Sequence, residues 1–160
     1  MKGNLMDNPE DLMSKIEKGP DDFASAIRGV SDAVLSRRPD EKNWAAKEII
    51  CHLRDTEELF IIRLQSMIVM DEPKFIGADV DRWAEERQYL RNNIEEALSA
   101  FRKRRGETLK FLRGLKPEQW DRAGIHATRG RETLRVWAEI IPKHDLNHLE
   151  QLKRALAGKP

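Results

Sequence analysis

At 160 residues the chain suits one domain, long enough to bury roughly two-thirds of the surface its unfolded form would expose without help from disulfides. Its 29 Lys and Arg against 28 Asp and Glu create no global field that would draw nucleic acid or anionic lipid, which leaves a small molecule or another protein as the expected partner. A single cysteine, Cys51, excludes an internal disulfide; residues 1–11 lack the apolar core of a signal peptide, nothing approaches the roughly 20 apolar residues of a membrane span, and a reducing cytoplasm is the expected compartment.

The predicted elements are helices, because no stretch alternates apolar and polar residues for long enough to make a half-buried strand. Asn8-Pro9 marks a helix start with proline in the first turn, followed by Leu12, Ile16, Phe23 and Ile27 at near-helical spacing up to Gly29. Gly19-Pro20 is expected to kink or divide this segment. A short helix or turn over residues 31–38 ends before Pro39, and a second long helix runs over about 44–70, closed by Pro73 and Gly77. Over residues 80–115, Leu90, Ile94, Leu98, Phe101, Leu109 and Leu112 follow a three-and-four rhythm that predicts a third long helix, ended by Gly114 and Pro117. Residues 116–130 form a connector holding Trp120, Gly124 and His126, and the last helix is expected from about 131 to 157. Four amphipathic helices must bury their stripes against one another, so the expected fold is all-α, a four-helix bundle with a short extra helix or turn between the first and second long helices.

The last helix carries the chemical signal. Leu134, Trp137, Ile141, His144, His148, Leu152 and Ala155 make one inward stripe, with histidines where leucine would be unremarkable. Four residues advance a helix by just over a turn, so His144 and His148 project side by side and can offer two imidazole nitrogens to one ion. His52, at the edge of the stripe of the second long helix, supplies a third. From the residues alone, three separate histidines bonded to backbone or water are an equal alternative.

Two segments carry a family likeness. WAAKEIICHLRD at residues 44–55 and KHDLNHL at 143–149 resemble the tryptophan-led "HLxD" and the "HDxxH" segments of the DinB-like (DinB/YfiT) superfamily of bacterial four-helix metal-binding proteins. AGIH at 123–126, with Gly130 and Thr133-Leu134, is similar to the connector of that superfamily. The resemblance covers most of the chain and implies one DinB-like helical domain over 1–160, a divalent metal held by His52, His144 and His148, and open coordination positions. It also implies a thiol-dependent transferase or a hydrolase acting on a small molecule, with a low-molecular-weight thiol as one possible partner, and a homodimer.

Zinc, nickel or ferrous iron suits such a ligand set. Glu48, one turn before His52, and Asp55, three residues after it, are the candidate catalytic carboxylates, each in reach of the metal site or a neighbouring imidazole by helical spacing. Asp145 points about 100° from His144 and is expected to support another helix. Loop residue His126 is a candidate proton carrier, Cys51 reads as a small buried hydrophobe, and Arg105, on an inward stripe, as a contact for an anionic substrate at the bundle mouth. Arg102, Lys103, Arg104 and Arg105 spread round a whole helical turn beside Glu95-Glu96, a weak nucleic-acid signal. The alternative to an enzyme is a non-catalytic bundle that metal stabilises, and a fourth protein ligand from Glu48 or Asp55 would favour it.

Overall fold

The structure, a computed structural model, describes residues 8–160; residues 1–7, most of the segment weighed above against a signal peptide, lie outside the described residues. Among the described residues six α-helices follow in order: α1 (Pro9–Ile27), α2 (Asp32–Leu35), α3 (Ala46–Val69), α4 (Val80–Glu86), α5 (Ile94–Arg113) and α6 (Leu134–Leu156). Three short strands lie in the connectors, β1 (Lys74–Phe75), β2 (Ala123–His126) and β3 (Gly130–Thr133). The architecture is the expected all-α four-helix bundle: α1 packs on α5 and α6, and α3 packs on the same two, so α1 and α3 sit diagonally. No helix among the described residues is long and apolar enough to cross a membrane.

Local chemistry starts the helices. Asn8 accepts from the amide of Glu10, Asn93 from Glu96 and Thr133 from Val136, while the carboxylate of Glu48 caps α3 by accepting from the amide of Ala45. Two boundaries differ from the expected ones. The helix predicted over 80–115 is divided: α4 stops at Glu86, Gln88 adopts φ 49°, a 3-10 turn follows at Tyr89–Arg91, and Asn93 starts α5. The last helix begins at Leu134 because residues 131–133 pair in β3.

The strands form one small sheet in the order β1-β2-β3, with β1 parallel and β3 antiparallel to β2. Each is too short to show a period-two pattern, and β1 meets β2 through Lys74↔Ile125 and Phe75↔His126, pairings far apart in sequence. Gly124 permits this packing, since a Cβ there would lie 2.4 Å from the ring of Phe75.

The core has two apolar halves with a polar layer between them. Phe23, Ile49, Ile50, Leu53, Phe101 and Leu152 belong to one half; Leu12, Ile16, Leu64, Leu109, Trp137 and Ile141 belong to the other. Between them, Arg105 of α5, 2% exposed, donates to both oxygens of Asp145 on α6 at 2.6 and 3.0 Å and to Glu57 on α3 at 2.8 Å. Arg105 therefore crosses the core and, contrary to the expectation from its stripe, does not reach the bundle mouth. Asp145 supports a neighbouring helix, as its rotation from His144 led one to expect.

Gly19-Pro20 is explained by this layer. α1 runs through the pair undivided, with Pro20 buried inside it. Proline donates no hydrogen bond, so the carbonyl of Ile16 one turn earlier is left free, and Arg105 Nη1 donates to it at 2.7 Å. Gly19 leaves the space: a Cβ would stand 2.2 Å from Asp145 Oδ2 and 2.8 Å from Arg105 Nη1.

Candidate metal centre

His52 lies on the buried face of α3 about two turns from its start, and α6 brings His144 and His148 to it. The three Nε2 atoms make a nearly equilateral triangle, 3.2 Å between His52 and His144, 3.0 Å between His52 and His148, and 3.1 Å between His144 and His148. Imidazole nitrogens bound at about 2.0–2.1 Å to one ion stand roughly 2.9 Å apart at right angles and roughly 3.4 Å apart in a tetrahedron. The observed edges fall between those limits, so the donor set fits a single divalent ion, and zinc, nickel and iron all accept it.

Electrostatics favour neutral rings. Burial, then the charge of His148, pushes His52 down to about 3. Burial, His148, His52 and Arg105 push His144 down to about 2, and burial lowers His148 against the opposing effect of Gln151. Neutral imidazoles keep the lone pairs that a metal needs.

The rings are oriented in different ways. His148 Nδ1 donates to Gln151 Oε1 at 2.7 Å, which leaves Nε2 unprotonated and facing the triangle. His52 has no such partner: its Nδ1 is sealed without a hydrogen bond, and the ring is held by packing against Trp44, 5.0 Å away between ring centres. Phe60 meets His144 edge-on at 5.3 Å. Above the triangle opens a cleft of about 330 Å³, also lined by Lys42, Trp44, Asp81 and Gln151.

The two candidate carboxylates have other partners. Glu48 accepts from Arg38 Nε at 2.8 Å, from Arg38 Nη2 at 2.5 Å and from the amide of Ala45. Asp55 accepts from Arg54 at 2.7 Å, Arg87 at 2.6 Å and the hydroxyl of Tyr89 at 2.8 Å, and so ties α3 to the break before α5. Burial alone would raise its pKa; the bonds from Arg54, Arg87 and Tyr89 outweigh that and hold it at about 2. Neither is gathered with the imidazoles.

His126 lies in β2, buried beside Trp137, with Nδ1 accepting from the amide of Thr128. It takes no part in the triangle. Cys51 is fully buried and its thiol is pushed up to about 11 by burial, as a small hydrophobe would be. In the basic run, Arg102 pairs with Asp21, Arg104 with Glu58, and Arg105 with Glu57 and Asp145. Lys42, Asp81, Phe60 and Gln151 were missed from the sequence; only Gln151, three residues after His148, carried a legible signal, the i,i+3 spacing.

The fold is shared with YfiT from Bacillus subtilis, described as "a probable metal-dependent hydrolase with an unusual four-helix bundle topology", at a TM-score of 0.87 and 18% identity over 97% of this chain and 89% of that one. YuaE of Bacillus subtilis (strain 168) is 22% identical over 139 residues, 79% of this chain and 86% of the relative. An Oceanobacillus iheyensis protein, "Putative metal-dependent hydrolase OB0413", is 19% identical over 91% of this chain and 84% of its own length. Residues 15–152 match the family model described as the DinB superfamily, and the chain belongs to that superfamily.

Proposed function

We propose that the protein is a metal-dependent hydrolase of a small molecule, with His52, His144 and His148 holding one divalent ion. The observation that carries this reading is the triangle of Nε2 atoms, 3.0–3.2 Å on a side, at the floor of a cleft. With Glu48 and Asp55 engaged by arginines, no carboxylate among the described residues closes the coordination from the protein side. That argues for an open, catalytic centre over a closed, structural one. The relatives named for metal-dependent hydrolysis point the same way.

When bound, a divalent ion supplies Lewis acidity, lowering the pKa of a water in contact with it and polarising a substrate oxygen. The chain's own residues do the rest. Gln151 fixes the tautomer of His148, Trp44 walls the cleft and limits the room for water, Asp81 offers a carboxylate that can take a proton from the nucleophile, and Lys42 offers an ammonium to an acidic substrate group.

Elemental analysis of untagged protein beside His148→Ala tests the centre: about one ion per chain in the parent and loss in the variant support it. Metal-loaded parent is then assayed with ester, amide and phosphoester panels, and separately with electrophiles plus a low-molecular-weight thiol. Hydrolysis lost in His148→Ala and reduced in Asp81→Asn supports the proposal. Thiol transfer without hydrolysis would move the assignment to a transferase, and absence of metal from both proteins, with no uptake when zinc or nickel is added, would sink the centre itself.

A further inference from the structure

Arg63 lies on α3 about three turns beyond His52, at the end of the bundle where the small sheet packs. It is 9% exposed, yet among the described residues no carboxylate comes within ion-pair distance of it. Its hydrogen bond runs from Nη2 to the carbonyl of Ile76 at 2.5 Å. Its guanidinium stacks on Phe75 and Trp137, 5.6 and 5.4 Å from the ring centres. This sets it apart from Arg105, which lies deeper and meets two carboxylates. A buried cation without a counter-ion is costly to a fold, and an anion bound beside it would offset that cost.

Its surroundings add donors and hardly any acceptors. Arg129, from the β2–β3 turn, lies over the same indole at 4.7 Å, held by both oxygens of Glu132 at 3.0 Å. Its charge opposes that of Arg63, which no acid offsets. His126 accepts through Nδ1 from the amide of Thr128, so its proton sits on Nε2 as a further donor, within electrostatic reach of both arginines. The indole N–H of Trp137 is buried without an acceptor. Two guanidinium groups, an imidazole N–H and an indole N–H thus cluster around Trp137 with one carboxylate, Glu132, and one carbonyl, Ile76, among them.

We infer that Arg63, Arg129 and His126 form a binding site for an oxyanion, the carboxylate or phosphate group of a small ligand, at the sheet end of the bundle. Planar guanidinium forks match both groups, and the desolvated setting of Arg63 strengthens the pairing. The site shares no residue with the histidine triangle and stands or falls apart from it.

The test uses full-length 15N-labelled protein, in which the indole signal of Trp137 is identified as the one missing from Trp137→Phe. Sodium phosphate and sodium acetate are titrated separately against sodium chloride at matched ionic strength, in the parent and in His148→Ala. The Trp137 signal should move saturably with phosphate, acetate or both, and not with chloride. Movement with phosphate alone marks a phosphate site; movement with acetate marks a carboxylate one. Arg129→Ser, a change at an exposed side chain, should weaken the apparent affinity at least tenfold with no change in Tm, and Arg63→Met should abolish binding. Identical shifts with chloride, an unaltered titration in Arg129→Ser, or loss of the response in His148→Ala would each overturn the assignment. Arg129→Ser decides the matter even if Arg63→Met does not fold.

Discussion

Gly19→Ala should destabilise the protein by about 2–4 kcal/mol, against the sign that helix propensity dictates. Inside a helix alanine is ordinarily better than glycine by about 0.8–1 kcal/mol. At Gly19, however, the new Cβ would lie 2.2 Å from Asp145 Oδ2, so that carboxylate must retreat by about 1 Å to reach ordinary contact. It is not a free chain end: Arg105 holds it through two bonds of 2.6 and 3.0 Å and is itself fixed by Ile16 and Glu57. Breaking a buried ion pair costs roughly 3–5 kcal/mol, from which the propensity gain is subtracted. Gly106, inside α5, is the control, because nothing stands within 4 Å of a Cβ there. Gly106→Ala should stabilise by up to about 1 kcal/mol. Urea unfolding at neutral pH, read as shifts of midpoint at constant m, measures both, and the Gly19 variant should also melt roughly 5–15 °C lower. Equal stabilisation by the two substitutions would refute the polar layer described here.

Gln151→Leu removes the acceptor that fixes the His148 tautomer and should weaken metal affinity by about 10–100-fold while keeping one ion per chain at saturation, as competition with a chromogenic chelator would show. Asp55 is held at about 2 in the folded protein, below its unfolded value, so it adds stability that is fully present above the unfolded pKa and lost as pH falls toward 2. Asp55→Asn should accordingly cost roughly 2 kcal/mol at neutral pH and flatten the acid limb of unfolding curves between about pH 4 and 2; an unchanged limb would count against the arginine cluster. Asn93→Ala deletes the side-chain cap of α5 and should cost about 1 kcal/mol by chemical denaturation, with little effect on metal content.

The long helices were legible because each buries a stripe at helical spacing, and the inward placement of His144 and His148 followed from the same rule. The break before α5 was harder to see. Leu90 keeps the helical rhythm across it, whereas the signals against a helix were Asn92-Asn93 and the capping pattern Asn93 to Glu96. β1 and β2 depend on a pairing between distant segments, which local pattern cannot report. Helical spacing set Glu48 and Asp55 near His52 but said nothing of Arg38 and Arg87, which reach them from other parts of the chain. Arg105 was read correctly as inward-facing and wrongly as solvent-reaching, since the choice depends on whether acids on other helices converge there.

The histidine triangle joins residues 92 and 96 positions apart. During synthesis, a chain that has emerged through α5 displays one imidazole of the three, and the others arrive only with the final helix. No ion can therefore nucleate this bundle in the manner of a zinc finger; the helices must find their places first and present a finished socket. Which ion fills it is then decided by what the completed protein meets in the cell, so recombinant material should carry the metal of its growth medium, and occupancy after purification records supply as much as preference.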